Sequence, residues 1–144
     1  MTAELIFQLA NPFVLVGWLI LAAAIVFKKP VWRDVVAGQV WPSVLAVLYT
    51  VLILFCWAKT PGGFDSLPNV QAVFTYSWAA LAGWVHYLAF DLFVGSYVAR
   101  RVEEEGLPRM SLLVLLPLTF MFGPIGYLAF QATRLLFGKV RVAS

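Results

Sequence analysis

The chain has 144 residues, of which 62% are hydrophobic and 12% charged, with a mean hydropathy of +0.90. A soluble domain of this length could not hide that much apolar surface, so the chain requires lipid as its solvent. The net charge of +3 is small and the basic residues lie in the connections, which excludes a nucleic-acid surface.

Four apolar runs follow one another, at roughly 5–27, 42–58, 72–99 and 110–137. In lipid every backbone polar group must be paired, so each run is read as a helix. Short connections make neighbours antiparallel. The expectation is an all-α polytopic membrane protein, one domain over residues 1–144, built as a four-transmembrane-helix antiparallel bundle.

No Lys or Arg precedes the first run, unlike a secretory leader, so it is expected to stay as a membrane helix. Asn11-Pro12 has the cap-then-proline pattern of a helix start. It predicts either a main helix from Asn11 with a short helix before it, or one kinked helix. Trp41-Pro42-Ser43 repeats that signal for the second run, where the single cysteine, Cys56, reads as a small buried hydrophobe. The next connection, TPGGFDSLPNVQ (60–71), reads as an ordered turn or lid.

The connection RRVEEEGLPRM (100–110) is charged, and its Glu103-Glu104-Glu105 run reads as a solvated helix end. Pro117 and Gly123-Pro124 interrupt the last run, each proline removing a backbone donor. Lys28, Lys29 and Arg33 in the first connection and Arg100, Arg101 and Arg109 in the third outweigh Lys59 in the second. They place connections one and three inside and both termini periplasmic, although Arg134, Lys139 and Arg141 in the tail oppose that pattern.

The third run, GWVHYLAFDLFVGSYVARR (83–101), carries the only His, His86, together with Asp91. Ionisable groups are costly in a membrane and usually face an interior or a cavity. Five residues separate the two, about 7.5 Å of rise and about 140° of rotation on a helix. An antiparallel register sets Asp91 level with Thr119, His86 level with Gly123-Pro124, and Arg134 near Tyr76. The pair is therefore expected at the break in the fourth run. Burial disfavours the charged form of either group, which suits both to proton transfer. A purely structural interhelical hydrogen bond is the alternative. One His leaves a zinc or di-iron site short of ligands, and no nucleotide-binding or nucleophile-elbow spacing occurs. A haem held by His86 alone has weak support.

The run WVHYLAFDLFVG, the FMFGPIG of the last helix and the upstream TPGGFDSL resemble the abscisic-acid-deficient, neoxanthin-synthase-like family of small four-helix membrane proteins. The resemblance covers about residues 60–137. It implies an isomerase of carotenoids or related isoprenoid lipids, in which an epoxide opens and an allene forms without a redox cofactor. It implies His86 and Asp91 as acid and base. Trp84, Tyr87, Phe90, Thr119, Phe120, Gly123 and Pro124 would line a pocket for the end of a polyene. The apolar run begins almost at Met1 with no plastid transit peptide ahead of it, which points to a bacterial inner membrane. The partners expected are membrane lipid and a lipophilic polyene or pigment, with self-association open. Two rival readings use the same residues. One is a pigment-binding or accessory subunit of a larger, photosynthetic membrane complex. The other is a small proton-coupled carrier.

Overall fold

A computed structural model describes residues 2–138, and every element among the described residues is helical. Helix α1 (Ala3–Val26) is capped by Thr2, whose hydroxyl accepts from the Leu5 amide at 3.3 Å. It runs through Pro12 without a break, so the short separate helix does not form. Asn11 is not a cap; its Oδ1 accepts from Trp84 Nε1 at 2.8 Å.

A wider π-helical stretch, Trp32–Val40, leads directly into α2 (Trp41–Cys56), and a tight turn, Trp57–Lys59, prolongs it. Pro42 follows the π-helical stretch directly, so it lies inside a continuous helix and withdraws one donor from it. The expected third run is two helices, α3 (Leu67–Thr75) and α4 (Ser77–Glu104), separated at the extended Tyr76. Ser66 caps α3, accepting from the Asn69 amide at 3.4 Å. The last run is α5 (Leu112–Phe122) and α6 (Pro124–Phe137).

Three helices are long and apolar enough to cross a membrane: Ala3–Val26, Trp32–Lys59 and Ser77–Glu104. Helix α4 is the central one. Its apolar stretch is 56% buried, against 28% and 22% for the other two, and Ala82, Val85, Leu92, Val98 and Val102 are fully covered. Close approach to α4 uses small residues, as between helices in lipid. Gly17 meets Trp41 and Leu92, and Gly95 lies under Trp18.

The fourth run is a helical hairpin rather than one long helix. The Gly123 N–H closes α5 on the Thr119 carbonyl, Gly123 takes φ +35°, and Pro124 starts α6 without a donor. Gly126 packs directly on Thr119, where any side chain would overlap the α5 backbone. Helix α6 then runs back beside α4. Gly123 lies against Asp91, Phe130 packs edge-on to Tyr97 at 6.2 Å, and Arg134 Nε reaches Glu105 Oε2 at 2.7 Å. The start of α5 is at the same end, where Arg109 donates to the Ile25 carbonyl. Arg134 is thus far from Tyr76, because the break reverses the chain instead of bending it. Thr2 and Gly138 consequently lie at opposite ends of the bundle.

One end collects the charge. Lys28, Lys29, Arg33, Arg100, Arg101, Arg109 and Arg134 sit there, and Lys59 alone among the described Lys and Arg residues sits at the other. Arg33 is buried, holds Asp34 through two nitrogens (2.7 and 2.9 Å) and also binds Glu103. The Ser96 hydroxyl donates to the Arg33 carbonyl at 2.7 Å, fixing the π-helical stretch to α4. The glutamates of 103–105 therefore do more than solvate a helix end: Glu103 and Glu105 tie three segments together.

Candidate functional site

The rotation between His86 and Asp91 separates them completely. Asp91 faces α5 and α6, and His86 faces α2. They do not share a pocket, and His86 does not face the Gly123-Pro124 break. The antiparallel register assumed a straight fourth helix and matched depth alone; it took no account of which face of α4 each group occupies.

His86 stands at the floor of a half-open cavity of about 520 Å³ between α2, α3, α4 and the 57–64 loop. Its ring is 5.4 Å from Tyr49 and 4.7 Å from Phe90. Ile53, Cys56 and Trp57 continue the α2 wall, and Phe64 and Phe74 close the top. These positions follow from the helical stripe Tyr49, Ile53, Cys56 along α2. They were not singled out in the sequence, because nothing there says which face of α2 meets His86.

The TPGGFDSL segment forms the roof, with Thr60, Gly62, Gly63 and Phe64 lining the cavity. Gly62 has φ +82° and rests on the Asn69 carbonyl, a place and a conformation that only glycine fits. The Thr60 hydroxyl donates to the Cys56 carbonyl at 2.8 Å. Asp65 accepts from the Asn69 side chain at 2.9 Å. That hydrogen bond holds the Asp65 carboxyl below its ordinary value.

Asp91 is only 7% exposed. Its carboxylate lies against Gly123 at the N-terminus of α6, where the helix dipole favours an anion. Its Oδ2 is buried and has no hydrogen-bond partner. Tyr87, one turn earlier, donates to the Met121 carbonyl at 2.9 Å, a group freed by the end of α5. Thr119 is fully buried and donates to the Leu115 carbonyl. Phe120 packs edge-on to Trp18 at 5.4 Å. Trp84 stacks on Tyr87 at 5.5 Å and faces α1.

Of the nine site residues expected from sequence, His86 and Phe90 thus fall on one face of α4. Asp91, Tyr87, Trp84, Thr119, Phe120, Gly123 and Pro124 gather on the other. The first face has the His86 cavity; on the second, Asp91, Thr119 and Gly123 are closely packed, while Trp84 borders a separate, more open hollow of about 790 Å³ beside the start of α1. Among the described residues no group of three His, Cys, Asp or Glu side chains could hold a metal ion.

No curated protein and no solved structure matches the chain. A family model described as ABA DEFICIENT 4-like matches residues 5–130, a stretch that takes in both faces of α4 and the hairpin tip. The chain belongs to the ABA DEFICIENT 4-like family.

Proposed function

We propose that this protein acts in carotenoid or isoprenoid-lipid metabolism as a membrane isomerase, seating the end group of a polyene beside His86. The observation that carries this reading is the cavity itself. It is apolar, half-open, and floored by His86, the one imidazole of its lining. Family membership supports the carotenoid connection.

One imidazole is enough for such a step. Neutral His86 takes a proton from a carbon beside the epoxide; that electron pair forms the new double bond as the carbon–oxygen bond breaks. The imidazolium then returns the proton to the oxygen, so product and substrate are isomers. Asp91 acts at a distance from this chemistry by seating the tip of the hairpin.

In the membrane, α1, Trp32–Lys59 and α4 cross, and α5–α6 enters to about half depth and returns. Four full crossings would need Arg134 at the opposite end from Glu105, whereas the two are ion-paired. The basic end then faces the cytoplasm and the N-terminus the other side. This removes the conflict posed by Arg134, since the hairpin returns it to the side of connections one and three.

A pigment-binding subunit is the second reading. The separation of Asp91 from His86 favours it, because the cavity holds no carboxylate to complete an acid–base pair. The test is the carotenoid profile of a carotenoid-producing host expressing the wild type or His86→Ala. A new pigment with the wild type alone supports the isomerase. An unchanged profile, with pigment co-purifying with both proteins, supports the binding subunit.

A further inference from the structure

The cations at the charged end are not equivalent. Arg33 holds Asp34 and Glu103, Arg100 and Arg101 hold Glu104, and Arg101 and Arg134 share Glu105. These arginines and carboxylates balance one another. Among the described residues, no ion pair takes in Lys28, Lys29 or Arg109. Glu103 borders the same small crevice as Arg109, but Arg33 already binds it. The surplus positive charge of this end therefore rests on Lys28, Lys29 and Arg109, all of them exposed.

The three meet at the C-terminus of α1. The amides of Lys28 and Lys29 turn back to the carbonyls of Ile25 (3.4 Å) and Ala24 (2.8 Å), the paired hydrogen bonds that close a helix through a left-handed residue. That residue is Lys28, at φ +52°, the one positive-φ residue other than glycine among the described residues. Glycine is the usual occupant of such a turn, because a β-carbon is strained there. Here the chain accepts the strain and keeps an ammonium group. Arg109, in the tight turn that leads into α5, donates to the same Ile25 carbonyl at 3.3 Å, which brings its guanidinium to the end of α1.

The surroundings are apolar. Val26, Phe27, Met110 and Leu113, each beside these cations or one turn away, are largely exposed. Trp32, also exposed, suits the interfacial level of a bilayer. Positive charge alone is enough to orient a membrane protein; it needs neither a strained turn nor an arginine drawn across to another helix. A basic corner between membrane helices, with hydrocarbon exposed beneath it, suits a lipid phosphate.

We infer that the corner between the end of α1 and the start of α5 binds the phosphodiester headgroup of an anionic phospholipid through Lys28, Lys29 and Arg109. The bound lipid bridges α1 and the base of the α5–α6 hairpin, at the opposite end of the hairpin from the tip seated by Asp91. The inference is independent of the chemistry at His86.

Native mass spectrometry of the full-length protein, titrated with lipid in detergent, tests this. The probes are phosphatidylglycerol, phosphatidylcholine and the soluble headgroup glycerophosphoglycerol. Wild type should bind phosphatidylglycerol at least about fivefold more tightly than phosphatidylcholine. Lys28→Gly removes one cation and supplies the residue that the turn favours. It should weaken phosphatidylglycerol about fivefold and leave phosphatidylcholine unchanged, and adding Arg109→Gln should weaken it about fivefold again. Lys59→Gln, at the opposite end, should change neither lipid. Equal binding of the two lipids to wild type, or phosphatidylglycerol binding unmoved in the double variant, overturns the site. An equal loss from Lys59→Gln overturns it as well, since net charge and not this corner would then be responsible. Displacement of phosphatidylglycerol by an equal concentration of the soluble headgroup overturns the assignment to a lipid.

Discussion

The Asp91 carboxylate lies against the α-carbon of Gly123, joining the middle of α4 to the tip of the α5–α6 hairpin. A β-carbon at 123 would overlap Oδ1 and sit 3.3 Å from Cγ, and the backbone there has φ +35°. Gly123→Ala is therefore expected to destabilise the protein by about 1–3 kcal/mol. Thermal unfolding in detergent measures it. Adding Asp91→Ala should recover part of the loss, because the two residues are in contact. An unchanged midpoint for Gly123→Ala would remove the close approach.

Replacing His86 separates binding from chemistry. His86→Gln keeps a polar side chain at the cavity floor but cannot carry the proton. Its turnover should fall by about 100-fold or more while end-group binding changes little. Turnover of purified protein, read by chromatography beside a binding titration, decides this.

The arrangement of the ends is a sharp expectation of the hairpin. In a Cys56→Ala background, single cysteines at Thr2 and Gly138 should react with a membrane-impermeant thiol reagent from opposite sides of sealed vesicles. Labelling of both from one side would restore four full crossings. Arg134→Ala should cost little, about 1 kcal/mol at most, since the Glu105 pair is partly exposed.

The roof of the cavity should respond to acid. Asp65 titrates below its ordinary value because the Asn69 amide hydrogen-bonds its carboxylate. That contact stabilises the loop above the ordinary carboxylate range, and the stabilisation is lost as pH falls through the depressed value. Amide hydrogen exchange over residues 60–70, corrected for its intrinsic pH dependence, should rise in strong acid. Asn69→Ala should move that rise to higher pH.

The three long apolar helices were legible, because lipid demands both apolar length and a paired backbone, whereas the third and fourth runs each hold two helices where one was expected. So was the special standing of His86, Asp91, TPGGF and FGPIG. Their grouping was not. The Gly-Pro break announces that a helix ends, but φ at one glycine decides between a kink and a reversal, and Arg134 discloses the reversal only once Glu105 is seen beside it. Five residues on α4 fix the angle between His86 and Asp91, yet they do not name the helix that each faces. Arg134, Lys139 and Arg141, which opposed the charge pattern, were the visible hint that the last run returns.

The most direct measurement compares His86→Ala and Asp91→Asn for conversion of an epoxidised polyene by the purified protein in nanodiscs. With the chemistry in the His86 cavity and Asp91 seating the hairpin, His86→Ala abolishes the isomerised product and Asp91→Asn, if folded, forms it at close to the wild-type rate. Product from His86→Ala together with loss in a folded Asp91→Asn would move the site to the opposite face of α4 and contradict the assignment.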